Sequence, residues 1–460
     1  MKSNNIKKVG FFGNMNNYPF MLALALKQKG YEIVFFVDSL EKLHRPEERY
    51  NNIAIPYPDW IIDISPCDLF LVNNPLPDDK LKLVKEKLST CDFIFLNGFS
   101  IRFANYFKKK HICILSGSDL TNLANYTYAD KLMDLYINSL IENKKLKLNS
   151  KEVRVAKNKR IFRFMQRIYK LAPLINISDK SWFMPRNFLF NATYLLSYKC
   201  WLYSQIERQR IAIKNSICFI YAPTGLIKDG DFLLNEIKVD QKKRLLGLMI
   251  DENLSKYISP IKNKKIRLFN VARFSWVTNK VNDRIDFSQL DSKGNDVMIK
   301  GISAFYHKHK TPLDIVFVKK GDDVDATIEL LKNENIHHLV TWKNELSQAE
   351  VQQEYKKADI VFDQFAFSVV SMGGLDAMAI GRPLIANARA EIYDNALGEK
   401  TEICDAKTPK EVCNWLELLI LNEEFRLKKG KASREFVIKH FYSENVVKRI
   451  ETYLETTGEF

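Results

Sequence analysis

Arg273 leaves the apolar run Ile266–Asn270 in the segment Asn270-Val271-Ala272-Arg273-Phe274-Ser275-Trp276. Lys293 opens the segment Lys293-Gly294-Asn295-Asp296 shortly afterwards. A guanidinium forks onto phosphate oxygens and an ammonium adds a point charge, so the two together suit a diphosphate. Isolated Arg and Lys residues are usually surface solubilisers, and the pair gains weight only from its context. That context is the run from Ala358 to Ile385. The strand-like Ile360–Phe362 feeds Asp363-Gln364 and then a loop with small residues at Ser368, Ser371, Gly373 and Gly374. Small residues permit close backbone approach, and the helix start that follows favours an anion. Asp376, in the early turns of that helix, can accept hydrogen bonds from a ribose. Gly381 caps the helix and Pro383 starts the next strand.

Two loops in the first half could join this site. Gly13-Asn14-Met15-Asn16-Asn17-Tyr18 lies between the run Val9–Phe12 and a helix opened by Pro19, a residue suited to the first turn. Gly13 would let a phosphate or sugar reach the backbone at a helix start, or the loop is a tight turn capped by Asn. With one glycine it is not a dinucleotide fingerprint. Ser116-Gly117-Ser118-Asp119 follows the run Ile112–Leu115. Asp119 can orient a hydroxyl or accept a proton, and it can equally cap the helix after it.

These loops need a scaffold that brings strand ends together. Short apolar runs at Val9–Phe12, Ile33–Val37, Leu69–Val72, Phe93–Leu96, Ile112–Leu115 and Ile217–Tyr221 alternate with helical stretches. The pattern restarts near Lys264 with runs at Ile266–Asn270, Asp314–Val318, Leu339–Thr341, Ile360–Phe362 and Pro383–Ala386. Between them come helices at Val324–Lys332, Gln348–Lys357 and Lys410–Leu421. Such alternation predicts an α/β protein with two Rossmann-like domains of parallel strands, facing across a cleft at the strands' carboxyl ends. We place an N-terminal domain at 1–225, a connector at 226–261, a C-terminal domain at 262–435 and a C-terminal helix at 436–460. The helix itself reads as Ser433–Tyr453, packing back on the first domain.

Residues 120–210 fit the alternation poorly and read as a helical, basic insertion in the N-terminal domain. Lys144–Lys170 holds eleven Lys or Arg and the single acid Glu152. Ile161, Phe162, Met165, Ile168 and Tyr169 recur at near-helical spacing beside Arg160, Arg163 and Arg167. Two readings stand: a solvated helix packing one stripe on its own domain, or a basic amphipathic helix on an anionic membrane surface. Composition agrees with an anionic partner without choosing one, since 70 Lys and Arg against 55 Asp and Glu leave a net charge of +15. No nucleic-acid fold or motif accompanies that charge, so nucleic acid is not expected. Seven cysteines without CxxC spacing, most of them inside apolar runs, suggest a reducing cytoplasm. No apolar stretch is long enough for a signal core or a membrane span. No cluster of His, Asp and Glu has metal-ligand spacing.

The run Ala358–Ile385 resembles the donor-site signature of the GT-B glycosyltransferases, retaining glycosyltransferase family 4 in particular. That signature ends in a helix reading L-E-A-M-A-x-G-x-P-V-I, and this chain has L-D-A-M-A-I-G-R-P-L-I. Arg273 and Lys293-Gly294 resemble the family's diphosphate-binding pair. Gly13 with its Asn-rich neighbours resembles the first loop of that fold, and Gly117-Ser118-Asp119 its GSD segment. The resemblance implies transfer of a sugar from a nucleotide-sugar to a hydroxyl acceptor, with retention and without a metal. A bacterial surface glycan or a lipid-linked intermediate is the implied acceptor, made by an enzyme in the cytoplasm or peripheral on the inner face of the membrane. The nucleotide-sugar is a co-substrate, and no other cofactor is expected.

On this basis Arg273, Lys293 and Asp119 are the expected catalytic residues. Gly13, Asn14, Arg273, Lys293, Ser368, Ser371, Gly373, Gly374 and Asp376 form the donor set. One departure matters. The family carries two glutamates with seven residues between them. Here the first falls on Ser368, which cannot be a carboxylate, and the second is the shorter Asp376. Asp363-Gln364 could supply other polar contacts. The rival readings are a non-catalytic protein binding a sugar-nucleotide or glycan in the same cleft, and a sugar-nucleotide epimerase. An epimerase normally wants carboxylates and a His around the donor sugar, and only His111 stands close to a cleft loop.

Overall fold

The computed structural model describes residues 7–65, 78–131, 192–251, 256–270, 272–277, 292–366 and 369–459. The strand expected at Leu69–Val72, Ser368 of the site loop, and the basic stretch Lys144–Lys170 with most of the insertion lie outside them.

Runs of aromatic and β-branched residues with no polar alternation make strands that are buried on both faces, as parallel sheets require. β1 (Lys8–Phe12), β2 (Glu32–Val37), β3 (Ile61–Asp63), β4 (Phe93–Asn97), β5 (His111–Ile114), β6 (Phe219–Tyr221) and β7 (Arg244–Leu246) form the first sheet. It is parallel throughout, in the order β3-β2-β1-β4-β5-β6-β7. β8 (Ile266–Asn270), β9 (Leu313–Val318), β10 (Val340–Lys343), β11 (Ile360–Phe362), β12 (Leu384–Ala386) and β13 (Cys404–Asp405) form the second, also parallel, in the order β10-β9-β8-β11-β12-β13. In each sheet the order reverses beside the first strand, between β1 and β4 and between β8 and β11. A crevice opens at such a reversal outside the strands' carboxyl ends, where ligands of this architecture bind. The loops singled out above leave those ends.

Three short strands escape a sequence reading. β7 lies inside the stretch 226–261 expected to be a connector, as does the helix Lys228–Ile237. The first sheet therefore continues through that stretch. Arg244 ties β7 down by donating to Asp231 Oδ1 at 2.7 Å and to the carbonyl of Ala222. The strand expected at Leu339–Thr341 begins at Val340, because Leu339 closes a tight turn that starts at His337.

The final helix is two helices, Glu423–Phe441 and Ser443–Thr457, and not one. Tyr442 between them is extended, with φ −62° and ψ 139°. The break is filled by Ile250, whose N–H donates to Phe441 O at 2.8 Å and whose carbonyl accepts from Ser443 N at 3.0 Å. The two passages of the chain between domains are thus stitched to each other. The last helix buries Val446, Val447, Ile450 and Leu454 in the core of the first domain, beside Val9, Phe11 and Phe20.

Candidate functional site

The loop after β8 is held by a buried plug. Phe274 packs on Phe317 and Trp342, with ring centroids 5.3 and 5.4 Å away. Its N–H donates to Lys320 O at 2.7 Å. Trp276 N and Val277 N both donate to Asp323 Oδ2, at 2.7 and 3.0 Å. With its neighbour fixed, the exposed Arg273 is held at the mouth of the cleft. Lys293 is placed by Gly294, whose φ is +59°. A Cβ there would lie 2.5 Å from Ala366 N, so only glycine lets the two loops touch. Lys293 O accepts from Phe365 N at 2.7 Å, and Lys293 Nζ donates to Gln364 Oε1 at 2.9 Å.

The loop after β11 is closed by Asp363. Its Oδ2 accepts from Ser371 N at 2.6 Å, and burial pushes its carboxyl up. Ser371 then caps the helix Met372–Ile380 by accepting from Gly374 N at 3.2 Å. Apart from Asp376 that helix carries apolar or small residues, buried from Gly374 to Ile380, so its polar groups at the cleft are its N-terminus and the Asp376 carboxylate. Ser371, Met372, Gly373 and Asp376 line a cavity of about 510 Å³, together with Arg273 and Lys293. Gly374 does not reach it. Its N–H is taken by Ser371, and a Cβ at 374 would stand 2.7 Å from Asp363 Oδ2.

The opposite wall comes from a helix that the sequence places but to which the sequence reading gives no part in the site. Gln348, Gln352 and Tyr355 face the cavity from the helix Gln348–Lys357 at spacings of four and three, a polar stripe visible in the sequence once the helix is known. Arg382, with no exposed surface, holds the end of that helix by donating to Tyr355 O at 3.0 Å and Lys356 O at 2.8 Å. Arg49 arrives from the first domain, its Nη2 3.3 and 3.4 Å from the two oxygens of Asp376. No periodicity or motif announces Arg49.

Across the cleft the expected residues behave differently. Asp119 is fully buried and accepts from Ser116 N at 2.9 and 2.8 Å, Gly117 N at 3.0 Å and Asn97 Nδ2 at 3.4 Å. It shapes the loop, and it lines neither cavity of the cleft. Gly13 and Asn14 line neither cavity of the cleft. A Cβ on Gly13, whose φ is +91°, would collide with Asn97 O at 2.1 Å. Asn14 spends its amide on Asn17 Oδ1 and His44 O, at 2.7 and 2.8 Å, and accepts from Phe20 N at 3.2 Å. Both hold the first loop in its shape. His111 opens β5 at the end away from the cleft, bonded to Ala212 O, whereas His44 Nδ1 accepts from Asn16 N at 3.0 Å beside the first loop.

A second cavity of about 300 Å³ lies on the first-domain side, lined by Asn16, Tyr18, Ser116 and Gly117. It shares Lys293, Gln364, Ser371 and Met372 with the larger one. Among the described residues that line it there is no Asp, Glu or His. Its tyrosines, Tyr18 and Tyr221, are both pushed up by burial.

The buried Asp119 has a measurable signature. Burial pushes its carboxyl up to about 6, against the donors that hold it, from roughly 3.9 in an unfolded chain. Between those values the folded state binds more protons, so its stability falls as the pH rises across that window. Asp119→Asn is expected to flatten that slope in chemical denaturation. Asp119→Ala, which orphans two N–H groups, is expected to cost about 1–3 kcal/mol.

No protein-family model and no curated protein matches the chain. Solved structures do share its fold. A glycosyltransferase from Rickettsia africae superposes with a TM-score of 0.54 at 14% identity, over 98% of each chain. Sucrose-phosphate synthase from Thermosynechococcus elongatus gives 0.53 at 12% identity, over 99% of this chain and 100% of that one. The Anabaena protein Alr3699/HepE, in complex with UDP and glucose, gives 0.52 at 10% identity, over 98% of this chain and 100% of that one. At these identities the likeness is one of fold: two Rossmann-like domains facing across a cleft, the GT-B arrangement.

Proposed function

We propose that the protein is a retaining, metal-independent glycosyltransferase of the family 4 type, a hexosyltransferase that moves a sugar from a nucleotide-sugar to a hydroxyl acceptor. The observation that carries this reading is one cavity lined by Arg273, Lys293, the helix start at Ser371 and Asp376. The cations and the helix N-terminus take the diphosphate, and Asp376 takes the ribose. As the anomeric carbon–oxygen bond to the phosphate breaks, Arg273 and Lys293 stabilise the charge that develops on the leaving diphosphate. The acceptor hydroxyl enters from the smaller cavity, which meets the larger one at Lys293, Gln364, Ser371 and Met372. Its oxygen bonds to the anomeric carbon. With no Asp, Glu or His among the described residues lining that side, its proton passes to the departing phosphate oxygen. Delivery from the leaving group's own face gives retention.

In this reading a bacterial surface glycan or lipid-linked intermediate is the acceptor, and the basic stretch Lys144–Lys170 attaches the enzyme to anionic lipid on the cytoplasmic face. Among the described residues no helix is long and apolar enough to cross a membrane. Thermal-shift measurements with a series of nucleoside diphosphates test the donor site. A rise in melting temperature with one or more of them is expected, and no rise with any removes the reading.

A further inference from the structure

Asp376 is not alone at the cavity. Arg49 follows the turn Pro46–Glu48 of the first domain and crosses the cleft to reach it. The side chains of Arg49 and Asp376 are 6% and 7% exposed, and both residues line the 510 Å³ cavity. Arg49 Nη1 also stands 3.4 Å from Gln348 Oε1, while its buried Nε has no hydrogen-bond acceptor. The contacts to Asp376, at 3.3 and 3.4 Å, are longer than the roughly 2.7–2.9 Å of a tight charge-assisted bond. Arg49 reaches both oxygens through a single nitrogen, and an ionised carboxylate can accept from several donors at once.

We propose that Arg49 is a positioning residue of the donor site, holding the Asp376 carboxylate ionised and aimed into the cavity from the opposite domain. The ribose of a nucleoside diphosphate then meets a competent acceptor only when the two domains are closed. The inference rests on the donor-site reading above and adds to it a residue from the domain that does not carry the donor signature.

The physical reason is that a buried carboxylate without a cation takes up a proton. Once protonated it has lost the charge that draws hydroxyl donors. The groups facing this pair are Tyr50 and Asp251 near Arg49, Tyr18 and Tyr355 near Asp376, and Arg273, Lys293 and Asp363 on the same cavity lining. Burial lifts Tyr18, Tyr50 and Tyr355, so these hydroxyls remain neutral. Burial pulls the Arg49 guanidinium down, and Asp376, Tyr50 and Asp251 together more than offset this, so Arg49 keeps its charge.

The test is calorimetric titration of UDP, GDP and ADP into the wild type, Arg49→Ala and Arg49→Lys at about pH 6, 7 and 8. The wild-type affinity for whichever nucleotide binds should stay level across that range. Arg49→Ala should bind about tenfold more weakly near neutrality and recover as the pH rises and Asp376 gives up its proton. Arg49→Lys, which keeps a cation, should stay within about threefold and level. Arg49→Gln carries the same comparison should Arg49→Ala fail to fold. An affinity unchanged in the charge-free variant, or lowered equally at each pH, overturns the proposal and leaves the donor site standing. If no nucleotide binds the wild type, the donor-site reading falls and the proposal with it.

Discussion

Replacing Arg273 or Lys293 by Ala is expected to lower turnover of a nucleotide-sugar by about ten- to a hundredfold, with little change in melting temperature. In the proposed reading each removes one charge-assisted contact to the diphosphate, worth roughly 1.5–3 kcal/mol, and each 1.4 kcal/mol is about tenfold in rate. The fold should be spared because neither side chain supports the core. Arg273 is exposed, and it is the adjacent Phe274 that anchors the loop. Lys293 holds its loop through its backbone carbonyl, and its ammonium reaches Gln364 at 2.9 Å. Steady-state rates with the donor, alongside melting curves, check both halves. Near-wild-type turnover in both variants would remove the assignment.

Asp376→Asn is expected to cost donor affinity on the same scale, about ten- to a hundredfold. The fold is expected to suffer as well. In the molecule Asp376 is the partner of the buried Arg49, and removing one member of a buried pair costs roughly 3–5 kcal/mol. A fall in melting temperature together with the loss of affinity is therefore expected. Nucleotide titration and thermal denaturation of one preparation separate the two effects. A variant that keeps both affinity and stability would make Asp376 a bystander.

How far the sequence could be read follows from how local each signal is. The helix Gln348–Lys357 can be placed to the residue because Ser347 and Glu350 form a capping box and Ala358 ends it. The donor loop is legible because small residues, a helix start and a carboxylate fall within a few positions. β3, β7 and β13, of two or three residues, carry no periodicity to detect. The division of the last helix is invisible because its apolar pattern runs on through Tyr442, and only Ile250 reveals the break. Asp119 and Asn14 have the residue types of a site, but most of their partners are backbone groups fixed by the fold. Arg49 is the extreme case. Its partner is 327 residues away, and nothing local says that the two domains will bring them together.

The most direct measurement is release of nucleotide from a panel of nucleotide-sugars by the purified protein, with and without hydroxyl acceptors. The cleft holds two cavities that meet at Lys293, Gln364, Ser371 and Met372, which the proposed reading gives to the diphosphate and the acceptor. One donor should therefore lose its nucleotide slowly alone and faster with a suitable acceptor, with the sugar recovered on that acceptor in its original anomeric configuration. Lys293→Ala should abolish most of that release. Tight nucleotide binding with no release from any donor would contradict transfer and leave a binding protein in its place.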